Sequence, residues 1–181
     1  MIKTRNFKVK VNNNIKLEIL RMKDINWYVE SIFRPFFYEY LEFKPNNEAE
    51  KLKVKASLIS LINEYKINNI FNSDIRLVIK LDDENVGGIT IIPTKSNDTV
   101  ELAYWVLPEY QRKGICRKAM IKIISTLSKK YESIDSFILT ILSNNDASIK
   151  FAESLGFNYK HREPSKTEGI SKITYVKNIK Q

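Results

Sequence analysis

The stretch running from Glu101 to Lys130 constrains this chain more than any other. It begins Glu101-Leu-Ala-Tyr-Trp-Val-Leu-Pro-Glu-Tyr-Gln-Arg-Lys-Gly-Ile-Cys-Arg-Lys-Ala. Thr99 to Val106 is rich in β-branched and aromatic residues and reads as a strand. Pro108, which cannot donate to a ladder, stops it. Gly114 opens a helix over 114–130, because Ile115, Ala119, Ile123 and Leu127 recur on one stripe. A helix start leaves N–H groups unpaired at the positive end of the macrodipole, so a diphosphate fits there. Gly114 lets the backbone approach such a group closely, and Arg112, Lys113 and Arg117 place charge around it. Considered alone, these residues also suit a basic loop before an ordinary helix. From Gln111 to Lys130 the chain carries seven basic residues and no acidic one, within a total formal charge of +9. That local excess points to an anionic partner at one place, although a Lys-, Asn- and Ile-rich chain can also carry a merely solvated basic surface.

The rest of the chain surrounds this segment with alternating elements. Residues 16–21 alternate apolar and polar and read as a strand. Asp24 is a candidate cap for a short helix through Trp27 and Ile32, followed over 34–43 by an aromatic cluster of Phe36, Phe37, Tyr38, Tyr40 and Phe43. Residues 49–65 carry helical spacing at Leu52, Ala56, Ile59 and Ile62 or Asn63. Residues 75–81 and 86–92 form a hairpin around the polar turn 82–85. Residues 137–142 are a continuous apolar run, as in a buried strand. Asn145 or Asp146 caps a helix that ends at Gly156, and 158–162 and 170–176 are closing strands. The order predicts one mixed α/β domain over 1–181, with helices packed on a single sheet.

Composition excludes several classes. At 181 residues, 43% hydrophobic and 28% charged, the chain suits one soluble globular domain. No apolar run reaches the length of a membrane span, and the charged N-terminus lacks a leader's apolar core, so a cytoplasmic protein is expected. A single cysteine, Cys116, and a single histidine, His161, leave no disulfide and no expected metal site.

Gln111-Arg112-Lys113-Gly114-Ile115-Cys116 resembles the Q/R-x-x-G-x-G/A acetyl-CoA loop of the GNAT superfamily of N-acetyltransferases. The preceding Glu101-Leu-Ala-Tyr-Trp-Val-Leu-Pro-Glu-Tyr resembles the corresponding strand of its ribosomal-protein N-terminal (RimJ/RimL-like) branch. Asn145-x-x-Ser148 followed by Leu155-Gly156-Phe157 matches that branch in spacing. Cys116 departs from the Gly or Ala that closes the family loop, but a thiol is small enough to pack there. The resemblance implies a mostly antiparallel sheet of about seven strands flanked by about four helices, and acetyl transfer from acetyl-CoA to a primary amine without a metal. A non-catalytic acetyl-CoA sensor, or a basic RNA- or ribosome-binding module on the same fold, stands as the alternative.

The resemblance also implies roles. Tyr104, Trp105 and Val106 pair through their main chain with the pantetheine arm, and a backbone N–H there holds the oxyanion. Gln111, Arg112, Lys113, Gly114, Ile115, Cys116 and Arg117 hold the diphosphate. Glu101 is the candidate base, or else a strand carboxylate in a salt bridge, with Glu163 and Glu168 behind it. Many family members protonate the departing thiolate with a tyrosine seven residues after the motif asparagine, but here that position is Ala152. Ser148 therefore takes that role, unless its hydroxyl bonds back to its own helix. Asn145 bonds the pantetheine amide or caps its helix. Trp27, Phe33, Phe36 and Tyr38, with Phe37 and Tyr40, line the acceptor groove or lie in the core, and His161 touches the acceptor or sits on a strand surface. The net charge of +9 disfavours polycations, leaving a peptide N-terminus, an amino acid or an aminoacyl-nucleotide as acceptor. Either a monomer or a homodimer is compatible with this reading.

Overall fold

The computed structural model describes residues 7–40, 47–65 and 72–180, apart from the Tyr38 side chain. Phe43 lies outside the described residues. The described elements run β1 (Lys8–Lys10), β2 (Ile15–Ile19), α1 (Ile25–Ile32), α2 (Pro35–Tyr38), α3 (Glu48–Glu64), β3 (Ile75–Leu81), β4 (Glu84–Pro93), β5 (Thr99–Val106), α4 (Ile115–Lys130), β6 (Ser136–Leu142), α5 (Asp146–Ser154), β7 (Asn158–Pro164) and β8 (Ser171–Asn178). Short 3-10 turns precede α1 and follow β5. The strands form one eight-stranded sheet in the order β1-β2-β3-β4-β5-β6-β8-β7. Among the described strands only β5 and β6 run parallel, because α4 crosses between them.

The mixed sheet agrees with the expected fold, with one strand and one helix more. The added strand is β1, three residues at the sheet edge, too short for a clear alternation of its own. The added helix is α2, a single turn begun by Pro35 at its first position.

α4 and α5 cover one face of the sheet; α1 and α3 cover part of the other. Ile115, Ala119, Met120, Ile123 and Leu127 of α4 are buried with Val100, Leu102 and Phe137 of the strands. On the opposite face, Tyr28 and Val29 of α1 and Leu58 of α3 pack with Val78.

Two local readings are corrected. Asp24 does not cap α1: its backbone is helical and its side chain makes no cap bond. Its buried carboxylate instead lies 3.5 Å from the Lys80 ammonium and accepts from Asn85 Nδ2 at 3.2 Å. The inward stripe of α3 is also displaced from the expected one. Leu52 is 63% exposed, while Leu58 and Tyr65 are buried, because the face of α3 packed into the cluster around α1 carries Val54, Leu58, Leu61 and Ile62.

Candidate active site at the splayed strands

The sheet is split at its centre. β5 pairs with β4 from Val100 to Val106, and β6 pairs with β8 from Ser136 to Leu142. Between β5 and β6 the pairing consists of Thr99 with Ser136, Val100 with Phe137 and Glu101 with Ile138. Beyond Glu101 the strands part. The facing main-chain edges of 102–106 and 139–142 therefore lack a ladder partner among the described residues, and unpaired peptide groups in a cleft call for a ligand. The carboxyl ends of parallel strands are where open α/β sheets bind small molecules.

The mouth of this wedge is electropositive. Gly114 is the N-cap of α4 with φ 72°, and no side chain caps the helix. The first intrahelical bond there runs from the Lys118 N–H to the Gly114 carbonyl at 3.1 Å, so Ile115, Cys116 and Arg117 direct their N–H groups outward. A Cβ added at Gly114 would meet no atom within 4 Å. The positive φ makes glycine favourable there, and the space in front stays open. Gln111 Nε2 donates to the Val106 carbonyl at 3.2 Å, tying the turn to the end of β5. Arg112 is exposed with φ 57°, and Lys113 lies over the Tyr110 ring at 5.3 Å. Arg117 is otherwise engaged: it donates to Ser154 Oγ at 2.8 Å and to the Ser154 carbonyl at 3.1 Å, joining the start of α4 to the end of α5. Burial pushes the Cys116 thiol up to about 12, so it packs as a small neutral side chain.

α5 supplies the second wall. Asn145 Oδ1 accepts from the Ser148 N–H at 3.0 Å, so this asparagine, rather than Asp146, caps the helix. Thr126, Ser128 and Ser154 all donate to carbonyls of their own helices. Ser148 makes no such bond among the described residues. Tyr104 reaches across from β5, its phenol oxygen 3.4 Å from the Ser148 carbonyl and its ring 4.9 Å from that of Phe151. Burial pushes this phenol above its ordinary range, so it is present as the neutral donor.

On the opposite face, Glu101, Ala103 and Trp105 alternate with Tyr104. Glu101 stands on the last paired rung, at the apex of the wedge, and has no ion-pair partner among the described residues. Ala103 and Thr140 are exposed there in mid-sheet, and His161 lies on the same face, opposite Thr174 and 3.3 Å from its hydroxyl. Glu163 and Glu168 are exposed farther along the β7–β8 hairpin.

The Trp105 side chain is held away from the wedge. Trp27 stacks on it at 5.6 Å, Tyr28 and Phe37 meet it edge-on at 5.5 Å, and its indole lies over Gly88. Phe33 is half-buried beside this cluster, and Phe36 sits under the Arg34 guanidinium at 5.2 Å. Trp27 also lines an open groove of about 450 Å³ together with Lys80, Asn85, Leu107, Glu109 and Tyr110. That groove escaped the sequence, because its lining comes from four separate segments.

The model of the acetyltransferase (GNAT) family matches residues 28–157. The chain belongs to that family. No curated protein matches it significantly. Among solved structures, this GNAT chain is similar to an acetyltransferase from Salmonella typhimurium that modifies the N-terminal serine of ribosomal protein L7/L12. That match has a TM-score of 0.78 and 14% identity, covering 96% of this chain and 99% of that one. It is also similar to the microcin C7 self-immunity acetyltransferase MccE, solved with acetyl-CoA and AMP, at TM-score 0.75 and 22% identity, covering 94% and 95%. A third similarity is to spermidine N-acetyltransferase from Vibrio cholerae, solved with CoA and spermine, at TM-score 0.73 and 17% identity, covering 92% and 96%. At these identities the shared property is the fold.

Proposed function

We propose that this chain transfers the acetyl group of acetyl-CoA to a primary amine by direct attack in a ternary complex. The observation that carries the reading is the uncapped start of α4 at the mouth of a wedge whose main-chain edges are unpaired. The diphosphate lies on the N–H groups after Gly114, with Arg112 and Lys113 beside it. The pantetheine arm then runs along the free edge of β5, and the thioester reaches Tyr104, where a main-chain N–H serves the oxyanion.

The two faces of the wedge divide the chemistry. The amine approaches from the face bearing Glu101, Ala103 and Thr140, where helices leave the sheet uncovered. Glu101 takes its proton, a modest task for an α-amine with a pKa near 8 and a harder one for a lysine amine near 10.4. The nitrogen–carbon bond forms, the carbon–sulfur bond breaks, and the electron pair stays on sulfur. Ser148, on the other face, donates a hydrogen bond to that thiolate, and Asn145 offers its amide to the pantetheine arm.

Resemblance to the RimJ/RimL-like branch, the modest basicity demanded of Glu101 and the basic surface together support an α-amine acceptor, on a peptide, an amino acid or an aminoacyl-nucleotide. The test is a mass-spectrometric screen of such amines for acetyl-CoA-dependent gain of one acetyl group. Acetylation of at least one class is expected, with turnover falling about 10²- to 10⁴-fold in Glu101→Gln. Failure of every class, or full activity in that variant, contradicts the reading of the acceptor or of the base respectively.

A further inference from the structure

Ala152 leaves the α5 wall without the hydroxyl that its sequence position would otherwise supply. A serine on the first turn of a helix is an uncertain substitute, because its hydroxyl rotates and readily bonds a carbonyl one turn back. Thr126, Ser128 and Ser154 of this chain do so at 2.8, 2.8 and 2.7 Å. Ser148 does not among the described residues, and its turn is instead met from outside the helix by Tyr104.

Tyr104 comes from the opposite wall, on the strand edge where pairing with β6 has ceased. Its ring is fixed against Phe151 at 4.9 Å and 56°, which brings the phenol to the first turn of α5. The phenol oxygen lies 3.4 Å from the Ser148 carbonyl, so it donates to the turn itself. That bond ties the first turn of α5, and with it the Cα that carries the Ser148 hydroxyl, to the wall formed by β5.

We propose that Tyr104 is a positioning residue of the acetyl transfer, its phenol holding the first turn of α5, and through that turn the Ser148 side chain, aimed at the departing sulfur. The inference rests on the proposed placement of acetyl-CoA in the wedge. During transfer the carbon–sulfur bond breaks and the sulfur keeps the electron pair. The Ser148 hydroxyl donates to the thiolate, and the phenol keeps its proton and its bond to the turn. The thiolate takes its proton from solvent as CoA leaves.

The test compares wild type, Tyr104→Phe, Ser148→Ala, the double variant and Phe151→Leu in steady-state kinetics and acetyl-CoA titrations. Tyr104→Phe keeps the ring and its packing and removes only the hydroxyl. It is expected to bind acetyl-CoA within about threefold of wild type while kcat falls about tenfold. In the Ser148→Ala background the same change is expected to cost nothing further, because the two residues act as one unit. Phe151→Leu, which loosens the ring contact and spares both hydroxyls, is expected to lower kcat by a smaller factor than Tyr104→Phe, with acetyl-CoA affinity kept within about threefold. Unchanged kcat in Tyr104→Phe, or losses that multiply in the double variant, would overturn the proposal. Loss of acetyl-CoA binding in Tyr104→Phe with kcat retained also overturns it, since the phenol then serves affinity. If wild type itself does not bind acetyl-CoA, the placement of the donor falls first and Tyr104 loses its role with it.

Discussion

Replacing Gly114 by alanine separates the two reasons a glycine can stand at the start of α4. One is backbone conformation. At φ 72° an L-residue is in the left-handed region, which costs about 1–2 kcal/mol. The alanine also restricts the unfolded chain, recovering about 0.4–1 kcal/mol. No clash adds to this, because the new methyl would meet nothing within 4 Å. The net loss is about 1 kcal/mol, or roughly 2–4 °C in Tm for a chain of this size. The other reason is access. In the proposed complex the open space in front of Gly114 is occupied by the diphosphate, and a methyl there lifts phosphate oxygens off the N–H groups. Each charge-assisted hydrogen bond lost is worth about 1.5–3 kcal/mol, tenfold or more in Kd. Thermal unfolding without ligand and calorimetric titration with acetyl-CoA give the two numbers independently. Small destabilisation with a tenfold or greater weakening of binding is expected. A variant that binds acetyl-CoA as tightly as wild type would refute the placement of the diphosphate, whatever its Tm.

Three further outcomes are expected. Gly88→Ala puts a Cβ 2.7 Å from Trp105 Nε1 and 2.9 Å from Cε2, against an indole held by Trp27, Tyr28 and Phe37. It should destabilise by about 1–3 kcal/mol in denaturant titration; a neutral result would mean the aromatic cluster shifts freely. Asp24→Ala leaves the ammonium of buried Lys80 with Glu18, at 4.0 Å, as its remaining carboxylate partner among the described residues. A loss of about 3–5 kcal/mol by the same titration is expected, and less than 1 kcal/mol would show that water replaces the carboxylate. With its thiol near 12, Cys116 is thiolate in about one molecule in ten thousand at pH 8. Native protein should therefore resist iodoacetamide at that pH and react once unfolded, and rapid native alkylation would contradict the packing role.

The sequence exposed some parts of the site and hid others for identifiable reasons. The strand, the Pro108 stop and the start of α4 were legible because each rests on a local rule: β propensity, a missing donor, and an apolar stripe beginning at a glycine. A cap at Asn145 or Asp146 and a helix end at Gly156 were legible on the same basis, since both act within their own helix, and the bond from the Ser148 N–H settles the cap as Asn145. The wedge itself was only implied by resemblance. Nothing local in 99–106 says that pairing with β6 ends at Glu101, because that depends on how α4 and α5 set the two strands apart. Nor could spacing reveal that Trp105 turns away to meet Trp27 and Phe37, or that Arg117 is taken by Ser154. Asp24 misled because an aspartate before an apolar run has the local signature of a cap. Here the distant Lys80 ammonium outweighs it.

A crystal structure of the protein grown with acetyl-CoA tests the central claim most directly. The proposed function predicts diphosphate oxygens against the N–H groups of Ile115, Cys116 and Arg117, with the thioester between Tyr104 and Ser148. A carrier bound anywhere else, or a wedge that closes with β5 and β6 paired beyond Glu101, would contradict it.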